Sequence, residues 1–196
     1  MRVLLDAGHG EDTPGKQSPD GKLREYSWNR QMAARIAEGL KKAGIAVTLL
    51  VPETTDIPLS VRAARANEWC RREGKENVIL ISVHVNAAGC GSWMKARGWS
   101  AYTSPGKTKA DLLAESLYGA ACELLPPGIP IRTDLSDGDR DWEARFAILM
   151  KTQCPAVLTE NLFMDNREDL AILLSEDGQR RLAEIHVQGI LSYLRS

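Results

Sequence analysis

Three short apolar runs, RVLLD at residues 2–6, VILISV at 78–83 and AVLTE at 156–160, are separated by stretches whose apolar residues recur at helical spacing. Runs this short and this apolar read as buried strands. Strands alternating with helices imply a largely parallel sheet covered on both faces. In such sheets ligands bind outside the carboxyl ends of the strands. The residues that follow these runs are therefore the first place to look for chemistry.

The rest of the chain fits the same plan. From about Ser27, the residues Trp28, Met32, Ile36 and Leu40 share one helical face, and Gly44 is placed to stop that helix. Residues 45–51 read as a second strand, and 58–74 as a helix opened by Pro58 and ended at Gly74. A strand is expected at 98–103, an amphipathic helix at 109–125 and an irregular stretch at 126–144. FAILM, 146–150, reads as a further strand, Asn166 with Asp169 as a capping box, and about 176–194 as the closing helix. No repeat, low-complexity tract or linker interrupts this pattern, so residues 1–196 are expected to form one α/β domain.

Composition narrows the partners. A formal net charge of −1 argues against a dominant basic surface, and no nucleic-acid partner is expected. The opening MRVLLDAGHG is too briefly apolar for a signal core or a membrane span. Synthesis in the cytoplasm is expected, with no membrane span. Cys70, Cys90, Cys122 and Cys154 lack the close spacing of zinc knuckles or redox dithiols and read as reduced thiols, core or partly buried.

Three strands run into groups suited to metal or acid–base chemistry: RVLLD into His9, VILISV into His84, and AVLT into Glu160. On parallel neighbours these side chains converge on one rim. Two imidazoles and a carboxylate have the composition of a divalent-metal hydrolase site. His9 lies between Gly8 and Gly10, as though the backbone must approach something closely there. A third ligand could come from Asp6, Glu11, Asp12, Asp20, Glu25 or Glu160, because the loop at 7–26 can fold any of its acids back; the spacing leaves that choice open. His186 lies in the last helix with no motif around it.

The motifs DAGHG, GKLREYSWN, ISVHVNA and PAVLTENLFMDN, in this order, resemble the zinc-dependent N-acetylmuramoyl-L-alanine amidases of the third amidase family. LSVRAARAN matches that family's Leu-x-x-Arg-x-x-x-Ala-Asn helix at Leu59, Arg62, Ala66 and Asn67, where Arg62 and Asn67 are taken as structural. The resemblance extends from residue 1 to about 170. It implies a mixed, mainly parallel sheet of about six strands with helices on both faces. It also implies a Zn2+ site formed by His9, Glu25 and His84, with Glu160 as the catalytic acid–base residue. Where the family has Gly after the catalytic glutamate, in x-Gly-Phe-x-Ser-Asn, this chain has Leu162, which is expected to alter the backbone beside Glu160. Ala7 and Glu11 likewise replace the family's Pro and Gly.

The implied reaction is hydrolysis of the amide between N-acetylmuramic acid and the first L-alanine of the peptidoglycan stem, by zinc-activated water with Glu160 moving the proton. A zinc carboxypeptidase or aminoacylase acting on small peptide amides is the alternative. Asn86 is a candidate substrate-binding residue, Asp6 is either a partner for a ligand or the polar end of a strand, and Arg132, Arg140 and Arg145 could line a groove lip. Trp93, Trp99 and Trp142 are candidates for sugar stacking, with core packing the commoner role for tryptophan. Such a chain would work as a monomer on the cell wall, either after release in the manner of an endolysin or as a trimmed catalytic domain.

Overall fold

The apolar runs form strands whose side chains alternate between two faces, and this alternation divides the core in two. In the computed structural model, which describes residues 1–196, the chain order is β1 (Arg2–Ala7), α1 (Glu25–Lys42), β2 (Ala46–Leu49), α2 (Leu59–Glu73), β3 (Val78–Asn86), β4 (Ser100–Thr103) and α3 (Lys109–Leu124), then β5 (Trp142–Glu143), α4 (Ala147–Lys151), β6 (Ala156–Phe163), α5 (Arg167–Leu174) and α6 (Glu176–Tyr193). The sheet order is β2-β1-β3-β6-β4-β5. All neighbours are parallel except β4 and β6, so the sheet is mixed and mainly parallel.

Val3, Leu5, Ile79, Ile81, Val83 and Val157 point into the larger core, together with residues of α1, α3, α5 and α6. Leu4, Leu80 and Leu158 point the other way, into a smaller core shared with α2 and α4. Following that second face toward the strand ends, Leu4 gives way to Asp6, Leu80 to Ser82 and His84, and Leu158 to Glu160. The face is dry at one end and chemically equipped at the other.

Several elements differ from the sequence expectation. FAILM is not a strand: residues 147–151 form α4, and the strand in this region is the short β5, Trp142–Glu143. Ile148 and Leu149 are neighbours yet both are buried, whereas Phe146 and Met150 are exposed. A strand would send adjacent side chains to opposite faces; one turn of helix buries both. β3 and β6 run on to Asn86 and Phe163, so His84 and Glu160 lie within paired strand rather than beyond it. Asn166 caps α5 by accepting from the amides of Glu168 and Asp169. The Asp169 carboxylate, however, accepts from the amides of Gly98 and Phe163 and pairs with Arg97, so no capping box closes. Cys70 and Cys154 are buried, Cys90 and Cys122 are exposed, and all four are free thiols. No helix is long and apolar enough to cross a membrane.

His186 is a core residue. Its Nδ1 lies 2.7 Å from the Leu182 carbonyl and its Nε2 lies 2.9 Å from the Thr159 hydroxyl. The neutral ring satisfies both neighbours if Nδ1–H donates to the carbonyl and the hydroxyl donates to Nε2. Burial pushes this imidazole from 6.5 down to about 4. The unfolded chain thus takes the proton first, so the stability this ring contributes is complete above pH 6.5 and drains away as pH falls through 4. Urea unfolding at pH 7 and pH 4 should show the wild type losing about 3 kcal/mol more than His186→Gln over that interval. Equal losses in the two proteins would mean that His186 titrates normally.

Candidate metal centre and cleft

Gly8 is where the chain leaves β1 beside β3, its amide donating to the Val83 carbonyl at 3.1 Å. A Cβ at Gly8 would sit 2.2 Å from Cε1 of His84, and one at Gly10 would sit 1.9 Å from the Asp56 amide nitrogen. Both positions therefore exclude any side chain. Between them His9 adopts φ 61°, the left-handed region. Two guanidiniums hold it there, with Arg30 and Arg62 donating to the His9 carbonyl at 3.0 and 3.2 Å. The glycines and arginines together aim one imidazole edge-on at another: the His9 and His84 rings lie 5.0 Å apart at 88°.

Glu25 is the third member. It is the first residue of α1, which starts two residues earlier than expected, and its amide bonds to the Lys16 carbonyl at 2.9 Å. Glu25 Oε1 lies 3.4 Å from His9 Nε2 and 3.3 Å from His84 Nδ1, and accepts from the Val85 amide at 3.2 Å. One ligand atom from each of His9, Glu25 and His84 falls within 4.8 Å of the others. The Glu25 Oε2 atom is buried with no hydrogen-bond partner. The set is rich in acceptors and poor in donors, as a divalent cation requires. Of the other acids considered, Glu11 accepts from Thr54, Asp12 from the Asp56 amide, and Asp20 from Ser18 and Lys22. The segment after β2 occupies Glu11 and Asp12, and the loop's own turn occupies Asp20.

The electrostatics separate the four groups. Burial pushes His9 down to about 4, leaving a neutral ring suited to ligation. Burial opposes charge on Glu25 as well, but the His84 hydrogen bond and the two imidazoles outweigh it and hold that carboxyl below its usual range. His84 is raised for the same reason, its bond to Glu25 outweighing burial. Glu160 stands in β3–β6 register with His84, so the two side chains leave the same face of the sheet. Burial pushes Glu160 up to about 7, and its Oε2 atom is enclosed without a partner.

His9, His84 and Glu160 open on one cavity of about 690 Å3. Its far wall is apolar, with Ile57, Leu59, Phe146, Ile148 and Leu158 among the lining side chains. Asp6 takes a structural part: it accepts from Arg62 at 2.9 Å and from Ser82 at 2.6 Å, and touches no ligand directly. Asn86 does not line the cavity; its side chain accepts from the Ala87 amide. Arg132 lies over the Phe163 ring, Arg140 pairs with Glu115, and neither they nor Arg145 reach the cavity wall. Trp99 is fully buried with its N–H on Asn161, Trp93 lies against Arg167, and Trp142 lies against Tyr102.

Two positioning residues carry no signal that the sequence reading used. Asn29 donates to the Gly8 carbonyl at 3.2 Å and lies 3.5 Å from Glu25 Oε1. Its i,i+4 spacing from Glu25 on a helix is the signal that could have found it. Asn161 donates to the His84 carbonyl at 3.0 Å, and nothing in the sequence marks it. At Leu162, where an altered backbone is expected, the chain adopts the left-handed conformation that favours glycine, with φ 65°, and the side chain is fully buried. Roughly 1–2 kcal/mol of strain is offset by about 2 kcal/mol from burying the side chain.

Comparison with known proteins places this arrangement. Residues 3–192 match the N-acetylmuramoyl-L-alanine amidase family. The chain is 28% identical over 192 residues to the N-acetylmuramoyl-L-alanine amidase CwlM of Bacillus licheniformis, covering 97% of this chain and 67% of that protein. It is 29% identical over 200 residues to an endolysin of Bacillus phage SPP1, covering 98% of this chain and 65% of that protein. The chain thus spans about two thirds of the length of these relatives. Among solved structures, an N-acetylmuramoyl-L-alanine amidase from Clostridium difficile 630 superposes with a TM-score of 0.81 at 28% identity, covering 100% of this chain and 97% of that one. The amidase AmiC2 of Nostoc punctiforme gives 0.82 at 26% identity, covering 100% and 98%. With the whole fold and nearly the whole sequence matched, this chain belongs to the N-acetylmuramoyl-L-alanine amidase family.

Proposed function

We propose that this chain hydrolyses the amide joining N-acetylmuramic acid to the first L-alanine of the peptidoglycan stem, with zinc held by His9, Glu25 and His84 and with Glu160 as the proton carrier. The observation that carries this reading is the donor set itself: two imidazoles and one carboxylate with an unpartnered buried oxygen, beside a second carboxylate on the neighbouring strand. Zinc at such a site lowers the pKa of water and polarises a carbonyl.

The remaining steps belong to the chain. Glu160 takes the proton of the attacking water and returns it to the leaving alanine amine. A carboxyl brought to about 7 by burial is matched to both tasks near neutral pH. Its place on β6 keeps it beside the ligands without joining them. Arg62, Arg30 and Asn29 keep the His9 loop and Glu25 in place while this happens. Leu59, Phe146 and Ile148 line the same cavity and offer apolar contact to the substrate there. Action on the wall after release, as for the relative named an endolysin, accompanies this reading. The small-amide reading receives no support from the two relatives described above, one named an N-acetylmuramoyl-L-alanine amidase and the other an endolysin.

Two substitutions separate metal holding from proton transfer. Glu160→Gln should retain about one zinc per chain while activity on purified peptidoglycan falls roughly 10²–10⁴-fold. Zinc loss in that variant would instead make Glu160 a ligand. Gly8→Ala should do the reverse, because the added methyl displaces the His84 ring. Its zinc affinity should fall at least about tenfold, read by competition with a chromogenic chelator. Unchanged affinity would mean that the His84 ring position is not what the metal needs.

A further inference from the structure

Lys16 stands apart from the other cations of the cleft. It lines the cavity shared by His9, His84 and Glu160. Arg62, the other lysine or arginine on that wall, is consumed by Asp6 at 2.9 Å and Asp56 at 2.9 Å. Lys16 has no hydrogen bond or ion pair from its side chain, although two carboxylates, Glu25 and Glu160, lie close enough for its charge to stabilise both. The backbone that carries this side chain sets which part of the cavity it lines. That backbone is fixed: the Lys16 carbonyl accepts from the Glu25 amide at 2.9 Å, and the next residue, Gln17, bridges to Arg24 across an antiparallel turn. The ammonium is thus positioned over the cleft by the same turn that delivers Glu25.

We infer that Lys16 is a specificity-determining residue that receives a carboxylate of the stem peptide, so that this chain prefers stems with a free acid close to the scissile amide. The inference rests on the amidase reading and deepens it. In peptidoglycan the second stem residue carries its α-carboxyl either free or amidated, one residue beyond the alanine whose amide is cut. Arg62 pairs with both acidic lining residues, Asp6 and Asp56, and so offsets part of their repulsion of an incoming anion, whereas the charge of Lys16 is offset by no partner. The same cavity is lined by the apolar side chains of Ile57, Ile148 and Leu158, which offer an incoming carboxylate no competing donor. An ammonium at that rim is a point charge with three rotatable donors, fitted to a single carboxylate rather than to a planar fork.

The test uses the zinc-loaded protein and two soluble muramoyl-tripeptides that differ only in a free or amidated carboxyl on the second residue. Wild type should cleave the free acid with kcat/KM about fivefold to tenfold higher, with the difference lying in KM and shrinking in high salt. Lys16→Gln should bring the acid down to the level of the amide, and Lys16→Arg should keep most of the preference. Equal cleavage of both fragments by wild type, or a preference that survives Lys16→Gln, overturns the role of Lys16 and leaves the amidase reading intact. A fall in kcat for both fragments alike in Lys16→Gln also overturns it, assigning Lys16 to the reacting carbonyl. If wild type cleaves neither fragment nor purified peptidoglycan, the amidase reading fails, and the inference fails with it.

Discussion

One buried guanidinium holds the cleft together. Arg62, on the first turn of α2, donates to Asp6 at the end of β1, to the carbonyls of Ala7, His9 and Ile57, and to Asp56. It is almost wholly inaccessible to water, as is Asp6. A buried ion pair of this kind is close to neutral as a net contribution, but removing one partner costs about 3–5 kcal/mol because the other charge is stranded. What it supplies is specificity of place. A left-handed histidine between two glycines has no internal reason to hold one orientation. Arg62 from one side and Arg30 from the other fix its carbonyl, and so fix which way the imidazole points.

The sheet supplies the second constraint. β1, β3 and β6 run parallel and in register, with Asp6 opposite Ser82 and His84 opposite Glu160. After that pair the β3–β6 register shifts by an irregularity between His84 and Asn86. On the other side of β3 the pairing with β1 ends at Ala7 and Val83, and the Val85 amide beyond it donates to Glu25 Oε1. Two carboxyls of similar intrinsic acidity are thereby driven apart. Glu25, surrounded by imidazoles and an amide, is held ionised, while Glu160, enclosed with few donors, is raised to about 7. Environments that push paired titratable groups apart in this way mark the division between a group that binds and one that moves protons.

The parts of this that are legible in the sequence are those encoded locally. An apolar run ending in a polar residue shows a strand end, and parallel strands have their ends together, so His9, His84 and Glu160 group on one rim from their positions in the chain alone. Glu25 does not group that way. Its arrival at the site depends on how a loop of some seventeen residues, 8–24, folds back, and only the resemblance to a family selects it among six acids. Asn161 is invisible because its role is a bond to a backbone carbonyl on another strand. FAILM misleads because five apolar residues carry no period long enough to separate one helical turn from a strand. At Leu162 the residue type does not announce the left-handed backbone that the structure has there; burial of the leucine side chain offsets the strain.

The cleft divides its labour between rigid and variable parts. The groups proposed to hold metal and move protons come from strand interiors, the Gly8–Gly10 turn and the first turn of α1. The three proposed ligands are each fixed by at least one main-chain bond: His9 through its carbonyl, His84 through Asn161, Glu25 through the Val85 and Lys16 backbones. Apart from Leu158 in β6, the apolar lining residues come from the starts of two helices and the segments before them, Ile57–Leu59 at α2 and Phe146–Ile148 at α4, and Lys16 comes from the turn that bears it. Such segments tolerate substitution without disturbing the strands. On the proposed reading, a change at Leu59, Phe146 or Lys16 would alter what fits beside the scissile bond, whereas a change at Gly8, Arg62 or Asn161 would alter whether the proposed ligands meet at all. Substrate choice and chemistry would then be separable in this fold, because different elements of the chain carry them.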